Sequence, residues 1–261
     1  MIGIFDSGIG GLTVVRAIRE LLPAYDILYF GDTARTPYGT KSSQTVIEYA
    51  LENTDFLLSK GAKIIVIACN TASSVATDIV AEKFNLPIFE VISPAVELAM
   101  EISSKLKIGI IGTRATINSG IYEKKINNIN PAAKVYSAAC PLLVPLVEEG
   151  WQKKPETVMI VKKYLHPLKV RQIDTLILGC THYPLLKNII QKKIGKRVKI
   201  IDSSLSIAGK VKDFLEKNPE IDNQLSKKGK FRIFVSDVTE QFQKTAQATL
   251  KSNVILEHVR I

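Results

Sequence analysis

Eight short runs of β-branched and aliphatic residues punctuate the chain, each almost unbroken in apolarity: Ile2–Phe5, Ile27–Phe30, Ile64–Ala68, Ile88–Ile92, Ile108–Ile111, Val135–Ala138, Leu176–Leu178 and Val198–Ile201. A strand with one face in water alternates apolar and polar residues, so an unbroken run means burial on both faces, the signature of parallel sheets. Between the runs lie amphipathic stretches at helical period, including Leu12–Leu22, Thr45–Ser59, Ser73–Lys83, Pro94–Lys105, Thr157–Leu168 and Ala208–Glu216. This alternation predicts an α/β fold of mostly parallel sheets flanked by helices. No further strand is read beyond Ile201. No Gly/Ser linker or low-complexity tract interrupts the pattern, so any domain boundary is a short crossing.

A weak internal duplication organises the rest. Ile2-Gly3-Ile4-Phe5-Asp6-Ser7 resembles Ile108-Gly109-Ile110-Ile111-Gly112-Thr113, and Ile64-Ile65-Val66-Ile67-Ala68-Cys69-Asn70-Thr71 resembles Thr175-Leu176-Ile177-Leu178-Gly179-Cys180-Thr181-His182. Two strand–loop units thus repeat in the same order. The expectation is two similar, pseudo-symmetric α/β domains: residues 1–92, rejoined by a C-terminal segment 206–261, and residues 93–205. Residues repeated at strand ends would then face one another across a cleft, because ligands of open parallel sheets bind beyond the carboxyl ends of the strands.

Composition removes several other classes. With 261 residues, 46% hydrophobic and 23% charged, the chain is too apolar for disorder, and its apolar runs fall far short of the roughly 20 residues of a membrane span. The N-terminus enters a strand without the features of a signal peptide, so a cytoplasmic location is expected. The net charge of +10 permits nucleic acid or an anionic small substrate as partner. Its lysines are spread along helix surfaces, with pairs such as Lys192-Lys193 and no aromatic interleaving, which reads as a solvated surface. Cys69, Cys140 and Cys180 are widely spaced with no Cys-x-x-Cys, arguing against a disulfide framework or a zinc ribbon.

Asp6-Ser7-Gly8-Ile9-Gly10-Gly11 follows a strand and precedes a helix. The Gly-x-Gly-x-x-Gly pattern fails at Thr13 and no Gly-Lys-Ser/Thr is present, so a nucleotide loop, a structural turn and an acid/base or amine-binding role for Asp6 remain the readings. Taken singly, Cys69 and Cys180 would pass for small core residues. Standing at equivalent strand ends before Asn70-Thr71 and Thr181-His182, they read instead as thiols at helix N-termini. There the macrodipole is expected to lower the thiol pKa, and neighbouring N–H groups can hold a carboxylate. His182 lies close enough to exchange a proton with Cys180, whereas His166 and His258 read as solvated. A metal at Cys180 and His182 would need two further ligands, and none with zinc spacing is visible. Cys140 reads as structural; Glu148 or Glu149 could orient His182 or simply cap an exposed helix end. Tyr38-Gly39, in an ordered loop after Pro37, has an open role.

Together, Phe5-Asp6-Ser7-Gly8-x-Gly10-Gly11, Pro37-Tyr38-Gly39, Ala68-Cys69-Asn70-Thr71-Ala72, Cys140-Pro141 to Glu148-Glu149-Gly150, and Gly179-Cys180-Thr181-His182-Tyr183-Pro184 resemble the glutamate racemase family, over a stretch reaching about Asp202-Ser203. The resemblance implies a cofactor-independent racemase interconverting L- and D-glutamate, with Cys69 and Cys180 as opposed proton donor and acceptor. Asp6 would assist Cys69, and His182 with Glu148 would assist Cys180. Substrate contacts would come from Asp6, Ser7, Tyr38, Gly39, Asn70, Thr71, Thr181 and His182, with Thr113, the repeat counterpart of Ser7, and Thr116 as further contacts. The resemblance also implies a homodimer and a bacterial role in supplying D-glutamate for peptidoglycan, hence in cell-wall building and cell shape. Some family members carry an N-terminal extension associated with activation by a cell-wall precursor. The chain starts at its first strand, so such activation is not expected.

The chemistry is consistent with this reading. Racemisation removes a weakly acidic Cα proton from one face and returns one to the other, which a pseudo-symmetric cleft with one base per face can perform. Without a pyridoxal electron sink the carbanion must be stabilised by hydrogen bonds to the substrate carboxylate. The rivals are another superfamily member such as an aspartate racemase, a two-lobed small-molecule sensor, and a thiol-disulfide redox protein.

Overall fold

The computed structural model describes residues 1–261. In chain order its strands are β1 (Ile2–Asp6), β2 (Ile27–Gly31), β3 (Ile64–Ile67), β4 (Ile88–Glu90), β5 (Lys107–Gly112), β6 (Lys134–Ala139), β7 (Thr175–Gly179), β8 (Lys199–Asp202), β9 (Phe231–Val235) and β10 (Leu256–His258). Between them run α1 (Leu12–Leu21), α2 (Ser43–Ser59), α3 (Asn70–Lys83), α4 (Ile92–Ile102), α5 (Arg114–Asn118), α6 (Ile121–Ile129), α7 (Leu143–Glu148), α8 (Pro155–Val170), α9 (Lys187–Ile194), α10 (Ser203–Lys217), α11 (Pro219–Asp222) and α12 (Glu240–Leu250).

The strands form two sheets, every pair parallel: β10-β9-β2-β1-β3-β4 and β6-β5-β7-β8. The order β2-β1-β3-β4 in the first is matched by β6-β5-β7-β8 in the second. The sequence repeat is therefore a repeat of topology, with β5 and β7 standing where β1 and β3 stand.

The unbroken apolarity of the strands follows from helices on both faces. In β3, Ile64 and Val66 enter the cluster formed with α1 and α10, whereas Ile65 and Ile67 enter the one formed with α2 and α3. The second sheet is covered in the same way: Leu176 and Leu178 of β7 pack toward α8 and α9, and Ile177 packs toward α4 and α6. Burying each such side chain contributes about 1.5–3 kcal/mol.

Two elements differ from the hydropathy pattern. The run Ile88–Ile92 divides into β4 and the start of α4, because the Glu90 carboxylate caps the helix by accepting from the Ser93 N–H at 2.9 Å and from the Ile92 N–H at 2.5 Å. In addition, β9 and β10 extend the first sheet where the pattern shows no strand. Each carries charged, half-exposed positions, Arg232 in β9 and Glu257 in β10, which pair with each other at 2.5 Å on the surface. No helix is long and apolar enough to cross a membrane.

Candidate active site

The carboxyl ends of β1, β3, β5 and β7 converge, and the loops leaving them carry the repeated residues. Cys69 ends the loop after β3 as the residue before α3, and Cys180 directly follows β7; both are 5% exposed. Both thiols line one small cavity, together with Ser7, Asn70, Thr71, Thr113, Thr181 and His182. Pro37, Tyr38, Gly39 and Val144 complete its wall. The cavity measures about 20 Å³, room for about one water molecule. A larger cleft of about 310 Å³ opens beside it, with Gly8, Thr36 and Glu148 in its wall.

Each thiol has its own polar companions. On one side, the Cys69 thiol donates to Ser7 Oγ at 3.8 Å, and Asp6 lies fully buried behind them. Asp6 Oδ2 accepts the backbone N–H groups of Gly8 and Gly11, each at 3.0 Å, and Oδ1 accepts the Thr181 hydroxyl at 3.1 Å. Burial pushes the Asp6 carboxyl up, against the lowering pull of His182 and of these three donors. On the other side, His182 Nδ1 faces the Cys180 sulfur at 3.7 Å and Nε2 meets Glu148 Oε1 at 3.1 Å. Burial disfavours the imidazolium, but the hydrogen bonds to Cys180 and Glu148 and the charges of both outweigh it, and the His182 pKa is raised to about 10.

The Cys69 thiol departs from expectation. Burial, reinforced by the Asp6 charge, pushes it up to about 12, and the Ala72 backbone N–H at the start of α3 offsets only part of this. The helix terminus acts in the direction expected from the sequence, but desolvation by burial outweighs it.

Hydroxyl groups from both units meet at the cavity wall. Thr71 Oγ1 lies 3.0 Å from Thr113 Oγ1 and 3.3 Å from Thr116 Oγ1, and Thr113 caps α5 by accepting the Thr116 N–H at 3.2 Å. Asn70 is the first residue of α3 and 1% exposed. Asp6, Thr116 and Glu148 stand one residue behind the cavity wall and reach it through Ser7 and Thr181, Thr113, and His182 respectively. Of the two acidic residues at the end of α7, Glu148 reaches the imidazole, while Glu149 is exposed.

The remaining candidates are outside the site. Cys140 is fully buried in the core beneath β6 and β7, its thiol bonded to the Ala138 carbonyl at 3.5 Å and pushed up to about 12 by burial. His166 and His258 are exposed.

Two residues that support the site are missing from the sequence reading. Asp32, fully buried at the end of β2, accepts from Ser236 Oγ at 2.9 Å, from Arg35 Nε at 2.6 Å and from the Tyr38 hydroxyl, fixing the loop that carries Gly39. Tyr122 of α6 donates to Asn70 Oδ1 at 2.7 Å. Asp32 could have been suspected from its place at a strand end. Tyr122 meets Asn70 only through the fold.

Two topologically matched α/β units holding a thiol each against one cavity define the class, and comparison with known proteins agrees. The profile described as Asp/Glu/Hydantoin racemase matches residues 2–209, and the chain belongs to that family. A relative from Geobacter metallireducens named glutamate racemase is 46% identical over 241 residues, covering 92% of this chain and 89% of its own. Among solved structures, glutamate racemase isoform RacE1 from Bacillus anthracis superposes with a TM-score of 0.94 at 36% identity, covering 100% of this chain and 97% of its own. The Francisella tularensis glutamate racemase, solved in complex with D-glutamate, gives 0.91 at 40% identity, with coverages of 99% and 97%.

Proposed function

We propose that this chain is a glutamate racemase that interconverts the enantiomers by proton transfer between two thiols, Cys69 and Cys180, with no cofactor. The observation that carries this reading is that the two thiols, alone among the three cysteines, line one cavity from topologically equivalent strand ends. In one direction Cys69, held protonated, donates to Cα while Cys180 as thiolate removes the opposite Cα proton; the reverse direction exchanges the roles. Each turnover breaks one Cα–H bond and forms another, leaving the two sulfurs with exchanged protonation. Cationic His182, held by Glu148, places positive charge beside the Cys180 sulfur. Asp6 serves the Cys69 side. Backbone N–H groups at the start of α3, with Asn70, Thr71, Thr113, Thr116, Thr181, Ser7, Tyr38 and Gly39, hold the substrate carboxylates and stabilise the carbanion's charge.

Glutamate is favoured over aspartate because the cavity wall offers polar groups from both units. A substrate one methylene shorter leaves one set of buried donors unpaired, which discriminates strongly. The biological role we infer is supply of D-glutamate for peptidoglycan, in the cytoplasm, by a homodimer. We take residues 1–92 with 206–261 as one domain and 93–205 as the other. Sedimentation showing only a 28.8 kDa species, with or without glutamate, would count against the dimer.

The deciding experiment is incorporation of solvent deuterium at Cα of each glutamate enantiomer. Exchange with inversion supports the reading, whereas binding without exchange points to a sensor. Comparable kcat/KM for aspartate would point to the neighbouring racemase.

A further inference from the structure

Asn70 presents an imbalance. Its side chain is 1% exposed and lines the cavity, yet Nδ2 has no hydrogen-bond partner within the chain. A buried amide nitrogen without an acceptor is destabilising, so the surroundings must hold it in place. The oxygen end is where it is held: Tyr122, 3% exposed, donates its hydroxyl to Oδ1 at 2.7 Å. Burial, with the charges of Glu90 and Cys180, pushes the phenol well above its ordinary range, so it keeps its proton and can donate. A carboxamide turned by half a rotation would leave the phenol hydrogen without its acceptor, its N–H falling on the phenol oxygen instead, and would turn its own oxygen toward the cavity. Room for the phenol comes from Gly179, where a Cβ would sit 3.2 Å from the ring.

We propose that Tyr122 is a positioning residue that locks the Asn70 carboxamide with Nδ2 facing the cavity, so that this wall accepts a carboxylate. The two partners belong to different units, Tyr122 at the start of α6 and Asn70 at the start of α3. Their bond therefore forms only when the units are together, and the donor is aimed at the substrate as the cleft closes. A hydroxyl that donates to the amide oxygen polarises the N–H bonds opposite it. This inference rests on the reading of Asn70 as a substrate contact, and the test separates the two.

Steady-state racemisation is measured from both enantiomers for the wild type, Tyr122→Phe, Asn70→Ala and the double variant, with thermal midpoints as a check of folding. Tyr122→Phe is expected to lower kcat/KM about tenfold in both directions, chiefly through KM. Asn70→Ala is expected to lower it at least as much, and the double variant to match Asn70→Ala, because the hydroxyl acts only through the amide. An unchanged Tyr122→Phe, or a loss that persists undiminished in the Asn70→Ala background, overturns the proposal. An unchanged KM in Asn70→Ala overturns the substrate-contact reading beneath it. Should Tyr122→Phe fold poorly, 4-aminophenylalanine at position 122 keeps both ring and donor. A normal KM there supports the proposal, and one as high as that of Asn70→Ala overturns it.

Discussion

Gly10 is the most demanding point of contact between the two units, and replacing it with alanine gives a prediction whose size can be worked from the structure. A Cβ at this position would lie 2.3 Å from Thr181 Oγ1, 2.7 Å from His182 Nδ1 and 2.9 Å from the His182 backbone nitrogen. Ordinary van der Waals contact begins at 3.4 Å. Rotating Thr181 would break its bond to Asp6 and leave the backbone clash in place. The loop carrying His182 must therefore move by about 1 Å, and misplacement on that scale costs about 10²-fold in rate, or about 2.7 kcal/mol. Gly10→Ala is thus expected to lower kcat/KM for glutamate about 100-fold. Deuterium exchange should fall most for the enantiomer deprotonated by Cys180, the thiol His182 serves. The thermal midpoint should fall only slightly, because the clash lies between the units and opening relieves it. Gly209→Ala in α10, where an added Cβ meets nothing within 4 Å, is the control and should leave activity unchanged. A Gly10→Ala enzyme within threefold of wild type would refute the reasoning.

The thiols give a second expectation: Cys69→Ser and Cys180→Ser should each abolish racemisation, since serine is too weak an acid to relay the proton, whereas Cys140→Ser should alter only stability; near-normal turnover in either of the first two would remove the two-base assignment. Asp6→Asn and His182→Asn should slow the two directions unequally while the enantiomers still equilibrate to equal concentrations, and equal slowing of both directions by both variants would contradict the assignment of one assistant to each thiol. The third concerns pH. His182 holds its proton to about 10 in the folded chain against 6.5 in the free side chain, so the folded state binds that proton more tightly. Its contribution to stability is complete below about pH 6.5 and is lost as pH rises to about 10. Urea midpoints should fall between pH 7 and pH 10, and His182→Asn should flatten the fall; an unchanged slope would contradict the raised value.

The sheets were legible because burial on both faces leaves a local mark, an unbroken β-branched run, and the repeated Cys69 and Cys180 sit where such runs end. What the sequence concealed is tertiary. β9 and β10 carry charged positions that pair on the surface, so their composition does not read as core strand. The lowering of the Cys69 thiol by its helix could be anticipated from neighbours in the chain, whereas the larger opposing effect, desolvation, depends on how tightly the two units close. Tyr122 reaches Asn70 across 52 residues of sequence from an otherwise ordinary amphipathic helix, and no local pattern marks it.

The first sheet is begun by residues that precede the second unit and finished by residues that follow it. Ile207, Ala208, Val211 and Leu215 of α10 cover the same face as Ile2, Ile4, Ile64 and Val66, and β9 pairs with β2. During translation, at about 5–20 residues per second, these strands leave the ribosome on the order of ten seconds before α10 and β9 exist. Over the same interval the second unit acquires all four strands of its sheet from one continuous stretch. The nascent chain thus carries a finished half attached to an apolar sheet face that α1 alone covers until α10 follows. A truncation that removes the last 50 residues, although distant from both thiols in sequence, should therefore yield an aggregating chain rather than a less active enzyme.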